Sequence, residues 1–154
     1  MTAVLQRVNS ATVYADGELS GEIGKGLYIL LGVMRADTER DAELLAEKIS
    51  KLRIFSDENG KMNLSLLDIS AEACVVSNFT LMANYAKGNR PDYLNAEAPA
   101  RADELYEYFV DCLRRRSIFV ATGKFGADMR TEMVTDGPVT IVMESKILNR
   151  GAKI

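Results

Sequence analysis

The chain has 154 residues, 47% of them hydrophobic and 27% charged, the balance of a soluble globular protein that buries a core without disulfide or metal staples. With 19 Lys and Arg against 22 Asp and Glu, the net charge is −3, which excludes the electrostatic footprint of a protein that wraps duplex DNA or long RNA. Histidine is absent, which removes Ser-His-Asp triads, Cys-His pairs and histidine metal ligands together. An enzyme built on this chain draws its acid and base from elsewhere, and contact with a short RNA end stays open.

One domain over residues 1–154 is expected from the length. No apolar run approaches the roughly 20 residues that span a bilayer, and the N-terminal stretch lacks the three regions of a signal peptide, so the expected location is the cytoplasm, away from membranes. Cys74 and Cys112 each sit among apolar residues and read as buried free thiols. Two cysteines cannot close a structural zinc site, and no metal or cofactor is expected.

In chain order, Val4–Val8 and Ala11–Ala15 read as two strands, and Asp16-Gly17 as a two-residue hairpin turn before a third, Glu18–Ile23. Leu27–Met34 is almost unbroken in its apolar character and suggests a central strand covered on both faces. Thr38 opens a helix with Asp41 three residues on, a capping-box spacing, and Ala42, Leu45, Ile49 and Leu52 form its apolar face. Residues 53–64 break that pattern at Asn59-Gly60 and read as strand, turn and loop. Ala73–Leu81 is a buried strand that turns polar at its C-terminal end, where α/β sheets place ligands. Tyr85–Tyr93 is a polar, aromatic loop of the kind that carries function.

A second helix is expected over 99–116, with Ala102, Leu105, Phe109, Cys112 and Leu113 on one face. Ile118–Thr122 and Met129–Val134 follow as strands, Gly137-Pro138 as a turn, and Val139–Glu144 as the closing strand. The order predicts an α/β layer structure with two main helices and mainly antiparallel strands. Its exposed strand edges invite a symmetric dimer.

Two stretches carry candidate chemistry. Ser77 and Thr80 are hydroxyls near a strand end, but nothing visible activates a Thr80 nucleophile, and strand-end hydroxyls commonly bond backbone instead. Thr135-Asp136-Gly137-Pro138-Val139-Thr140 holds a Gly-Pro bond in which trans is the common state, while the tertiary amide narrows the preference to roughly 0.5–1 kcal/mol. In a cis unit the two carbonyls can point the same way, a rigid acceptor pair with no side chain in front of it.

Ser77-Asn78-Phe79-Thr80-Leu81 and Thr135–Thr140 resemble the two signature motifs of the D-aminoacyl-tRNA deacylases, formerly D-tyrosyl-tRNA deacylases. The likeness continues through Leu5-Gln6-Arg7-Val8, Arg53-Ile54-Phe55-Ser56-Asp57, Gly60–Leu64, Arg90-Pro91 and Thr122–Met129. It implies a cytoplasmic homodimer of three-layer β/β/α sandwich domains. The implied activity is hydrolysis of the ester between the tRNA 3′ end and a D-amino acid, or glycine, including glycine mischarged on tRNA(Ala).

The resemblance further implies that Gly137-Pro138 is cis and excludes L-amino acids from the partner's pocket, with Arg7 holding the motif. Ser77, Asn78, Phe79 and Thr80 are the implied catalytic segment. The 2′-hydroxyl of the tRNA assists, backbone amides near Phe79 and Thr80 bind the oxyanion, and Phe125 and Met129 are candidate adenosine contacts as well as core residues. Two positions depart from the family pattern: Asn78 stands where glutamine is usual, and Thr135 where asparagine is usual. The rival readings are a related tRNA deacylase of relaxed chirality, a non-catalytic module that binds RNA 3′ ends, and a purely structural protein.

Overall fold

The computed structural model describes residues 1–149. A single 14-residue strand, β1 (Thr2–Ala15), replaces the two expected at the start of the chain. Its pairing with the last strand shifts register near Val8, and the irregularity lets it bend and change neighbours without ending. Residues Thr2 to Val8 pair with β3 (Gly26–Gly32), while Ala11 to Ala15 pair with β2 (Glu18–Ile23). The β1–β2 turn is the hairpin expected at Asp16-Gly17, both residues having positive φ, 51° and 85°, as a primed two-residue turn demands.

The six-stranded sheet runs β2-β1-β3-β6 (Glu72–Ser77)-β7 (Val120–Thr122), with β8 (Met129–Glu144) on the other side of β1. Every antiparallel pairing in it involves β1, whereas β3, β6 and β7 are parallel. The two helices cause this, because parallel neighbours need crossovers. Helix α1 (Glu39–Lys51) lies between β3 and β6, and α2 (Pro99–Arg114) between β6 and β7. A small ribbon, β4 (Phe55–Ser56) with β5 (Met62–Leu64), stands apart, and a short α3 (Ser145–Asn149) ends the described chain. No helix among the described residues is long and apolar enough to cross a membrane.

Strand alternation sorts side chains into two cores on opposite faces of the sheet. Leu27, Ile29 and Leu31 of β3, with Ala73 and Val75 of β6, meet Leu45 and Ile49 of α1 and Leu105, Phe109 and Leu113 of α2. Tyr28, Cys74, Val76 and Ala121 face the other way, against Val8, Ala11, Val13 and Ile23. These two cores separate three layers, one of helices and two of strands. Asp41 accepts the Thr38 N–H at 2.9 Å, which fixes the start of α1 as its spacing predicts. The Tyr106 hydroxyl donates to the Val75 carbonyl at 2.9 Å and ties α2 to β6.

Burial pushes the Cys74 thiol up to about 12 and raises Cys112 as well, so both are protonated and unreactive near neutrality. The folded protein is therefore expected to resist a thiol reagent that modifies both cysteines after unfolding in urea. Rapid modification of Cys74 in the native state would contradict this packing.

Two further expectations are corrected. The strand expected to reach Leu81 stops at Ser77, and Phe79–Met82 turn into a 3₁₀ helix because the Asn78 side chain accepts the Thr80 N–H at 3.1 Å. At the other end of the chain, β8 (Met129–Glu144) is one 16-residue strand, where two strands joined at Gly137-Pro138 are expected. Met129 to Thr135 pair with Ala15 to Val8, and Thr140 to Glu144 with Gln6 to Thr2. Asp136 to Val139 bulge out between the two halves, where Pro138 has no N–H for the ladder.

Candidate active site

The C-terminal end of β6 opens into a cleft of about 700 Å³, lined by Ser77, Asn78 and Phe79 together with Phe125 and Met129. Five of the residues singled out in the sequence therefore share one cavity. Phe125 packs against the helix-side core and Met129 against the opposite one, so each is a core residue on one face and a cleft wall on the other. The Phe79 ring, 58% exposed, meets Tyr93 edge-on with centroids 5.0 Å apart and planes at 76°.

Thr80 lies one step outside this lining. Its hydroxyl donates to Asn78 Oδ1, which also takes the Thr80 N–H, so both donors of Thr80 are engaged by one carboxamide. A carboxamide is no base, and this arrangement does not activate the hydroxyl as a nucleophile. The Phe79 amide opens the 3₁₀ turn, where the first N–H groups have no acceptor within the helix. Phe79 itself lines the cleft, which makes that N–H a candidate donor there.

The cleft also contains Tyr93, the last residue of the loop marked in the sequence, and two residues that the sequence does not single out, Arg35 and Glu97. Glu97 Oε1 accepts the Ala98 N–H at 2.7 Å, and Arg35 Nε donates to the Ala96 carbonyl at 3.4 Å. An isolated bridge between Met34 and Ala96 brings the two segments together. For Arg35 and Glu97 no local sequence signal exists, since the bridge that brings them together is long-range.

Gly137 and Pro138 stand elsewhere, exposed on the bulge of β8 and joined by a cis peptide bond. Met129 lines the cleft, and the six residues from there to Thr135 span roughly 20 Å of strand. Arg7 holds the base of the bulge. Its Nε lies 2.9 Å from Asp136 Oδ2 and 3.3 Å from the Asp136 carbonyl, and its Nη1 donates to the Ile54 carbonyl at 2.7 Å. The guanidinium is thus spent on two loops while the side chain is only 9% exposed.

Residues 4–144 match the family model described as D-Tyr-tRNA(Tyr) deacylase. The D-aminoacyl-tRNA deacylase of Persephonella marina is 55% identical over 148 residues, covering 96% of this chain and 100% of that protein. The D-aminoacyl-tRNA deacylase of Thermosipho melanesiensis is 52% identical over 147 residues, 95% of this chain and 98% of its own. A solved structure, that of the c-Myc DNA unwinding element binding protein, is similar with a TM-score of 0.86 at 41% identity, covering 94% of this chain and 98% of the other. With a family match over most of its length and relatives above half identity, the chain belongs to the D-Tyr-tRNA(Tyr) deacylase family.

Proposed function

We propose that this single-domain chain is a proofreading hydrolase that cleaves the ester between a D-amino acid and the 3′-terminal adenosine of tRNA, and that it also accepts glycyl-tRNA. The observation that carries the reading is the cleft at the end of β6, where the Ser77 to Phe79 segment faces Phe125 and Met129 in a chain of this family. Phe125 and Met129 offer an apolar and aromatic wall suited to a nucleoside, and the Phe79 N–H at the start of the 3₁₀ turn is the donor assigned to the ester oxygen as it gathers charge.

Water attacks the ester carbonyl carbon, the bond to the ribose 3′-oxygen breaks, and the proton lost by water ends on that oxygen. The neighbouring 2′-hydroxyl relays it. An aminoacyl ester is already activated, so positioning and oxyanion binding suffice in a chain without histidine. Discharge of D-aminoacyl-tRNA by the purified protein tests the reading. Binding of that tRNA without hydrolysis would make the chain an RNA-end module instead.

Thr80→Ala is expected to retain activity within about tenfold of the wild type, because Thr80 is held by Asn78 and faces no base. A substrate with a 2′-deoxy terminal ribose is expected to bind but to hydrolyse at least tenfold more slowly. A trapped acyl-Thr80 species, or equal rates on the two riboses, would return the chemistry to the protein.

The chain works as a symmetric homodimer in which Gly137-Pro138 of one subunit serves the cleft of the other. Its separation from the cleft of its own chain supports this, as does the unpaired long edge of β8, with Val134 and Val142 more than half exposed. Sedimentation is expected to show a dimer at assay concentrations, and an active monomer that rejects L-aminoacyl-tRNA would contradict it. The substrate is a tRNA end in the cytoplasm. A net charge of −3 offers duplex DNA no footprint, whatever the solved relative's name says of DNA.

A further inference from the structure

The loop from Asn84 to Asp92 stands outside the catalytic account, yet the cleft walls Phe79 and Tyr93 flank it in the chain. The 3₁₀ turn that begins with Phe79 runs through Ala83 into Asn84, and Asp92 is followed at once by Tyr93. Its base is pinned. Asn84 and Asp92 exchange backbone bonds of 2.8 and 2.9 Å, and the Asn84 amide donates to Asp92 Oδ2 at 3.0 Å. Asn84 Oδ1 takes the Ala86 N–H and Asp92 Oδ1 the Leu94 N–H, so the stem's one negative charge is bonded on both oxygens.

Beyond this base the side chains point outward. Tyr85 is 79% exposed, and Lys87 and Arg90 are exposed as well. Among the described residues neither cation makes an ion pair, although the chain carries more acidic than basic groups. Unpaired cations beside an exposed aromatic ring, on a pinned stem at the rim of a cleft, match the chemistry that tracks a single-stranded nucleic acid. The cations meet phosphates and the ring stacks on a base.

We propose that the Asn84–Asp92 loop holds the single-stranded 3′ end of the tRNA, Lys87 and Arg90 contacting its backbone phosphates and Tyr85 stacking on a base next to the terminal adenosine. The assignment rests on the proposed function, since it places the terminal adenosine in the cleft. The nucleotides before it then leave across the rim, which the loop joins directly at Tyr93 and through the 3₁₀ turn at Phe79. It also reconciles an acidic chain with an RNA substrate, because local cations do the work that net charge does not.

The test measures binding of uncharged tRNA to the wild type, to the double variant Lys87→Ala with Arg90→Ala, and to Tyr85→Ala, across a salt series. Hydrolysis of D-aminoacyl-adenosine, which lacks the phosphates, is followed in parallel. The double variant is expected to bind tRNA about tenfold more weakly, with the log-log salt slope shallower by about 1.4, two contacts at about 0.7 each. Tyr85→Ala is expected to lose roughly tenfold with an unchanged slope. Both are expected to cleave D-aminoacyl-adenosine as the wild type does.

Unchanged tRNA affinity and slope in the double variant would overturn the proposal. So would variants that lose self-association while keeping tRNA affinity, which would assign the loop to a protein interface. If the variants weaken tRNA binding while the wild type hydrolyses neither ester, the loop assignment stands and the hydrolytic reading falls.

Discussion

Gly137→Ala is expected to lower the D-over-L ratio of kcat/KM by about tenfold or more, with the fold intact. Gly137 has φ of +135°, a region that L side chains rarely adopt, and a Cβ there would lie 2.6 Å from the Val139 nitrogen and 2.8 Å from Val139 Cγ2. Val139 is half-buried against the helix-side core and cannot simply withdraw. The backbone of the bulge must therefore turn, and its carbonyls turn with it. Strain of this kind costs about 1–3 kcal/mol, comparable with a tenfold change in rate at about 1.4 kcal/mol. Gly137 and Pro138 are exposed, so the loss is expected in selectivity before stability. A variant with wild-type kcat/KM on both isomers would show that the orientation of this backbone does not matter.

The second large effect is expected from Arg7→Met, which keeps the stem and removes the guanidinium. The Ile54 carbonyl and the Asp136 carboxylate lose their donor together. Hydrogen bonds to charged groups contribute about 1.5–3 kcal/mol, and Arg7 is nearly buried, so a stability loss of about 2–3 kcal/mol is expected from urea unfolding. Selectivity should fall with it, because Asp136 adjoins Gly137 and the bulge loses its anchor. Arg7→Lys separates the two roles: an ammonium can meet the Asp136 carboxylate but cannot fork to Ile54 as well. It is expected to recover part of the selectivity and less of the stability. Equal stability for all three proteins would contradict the anchoring role.

Features written in short-range chemistry were legible in the sequence. Asp16-Gly17 specified its turn because both positions need positive φ, and Thr38 with Asp41 specified the start of α1. The apolar faces of both helices appeared on the spacing alone, although Tyr106 and Val110 widen the buried face of α2. The polar turn at the C-terminal end of the buried run was legible, but the strand's end at Ser77 was not, because the Asn78 side chain that starts the 3₁₀ turn sits inside that run.

What escaped was long-range. Asn9-Ser10 look like a break between strands, yet β8 and β1 pair across them with a register shift that no local pattern announces. The same pairing makes Gly137-Pro138 a bulge within one strand, since both halves of β8 find partners on β1. Glu97 reaches the cleft through the Met34–Ala96 bridge, which joins segments far apart in sequence, and Tyr93 follows the local Asn84–Asp92 bridge that closes its loop. Phe125 and Met129 were marked through family resemblance, since their apolar character alone says only core.

We propose that the Gly137-Pro138 backbone acts as a rigid wall that excludes the L side chain, while the D side chain is not read. A D-residue and its L-isomer exchange side chain and hydrogen, so a wall on one side rejects every L-residue and passes glycine. An apolar pocket that read the side chain would gain only about 1–3 kcal/mol per methylene and would favour one residue. The direct measurement is deacylation of a panel on one preparation: several D-aminoacyl-tRNAs of different side chain, their L-isomers and glycyl-tRNA. The account predicts cleavage of all the D-esters and of glycyl-tRNA at rates within about tenfold of one another, with the L-esters left intact. Cleavage of a single D-residue with glycyl-tRNA spared, or cleavage of the L-esters at rates near those of the D-esters, would contradict it.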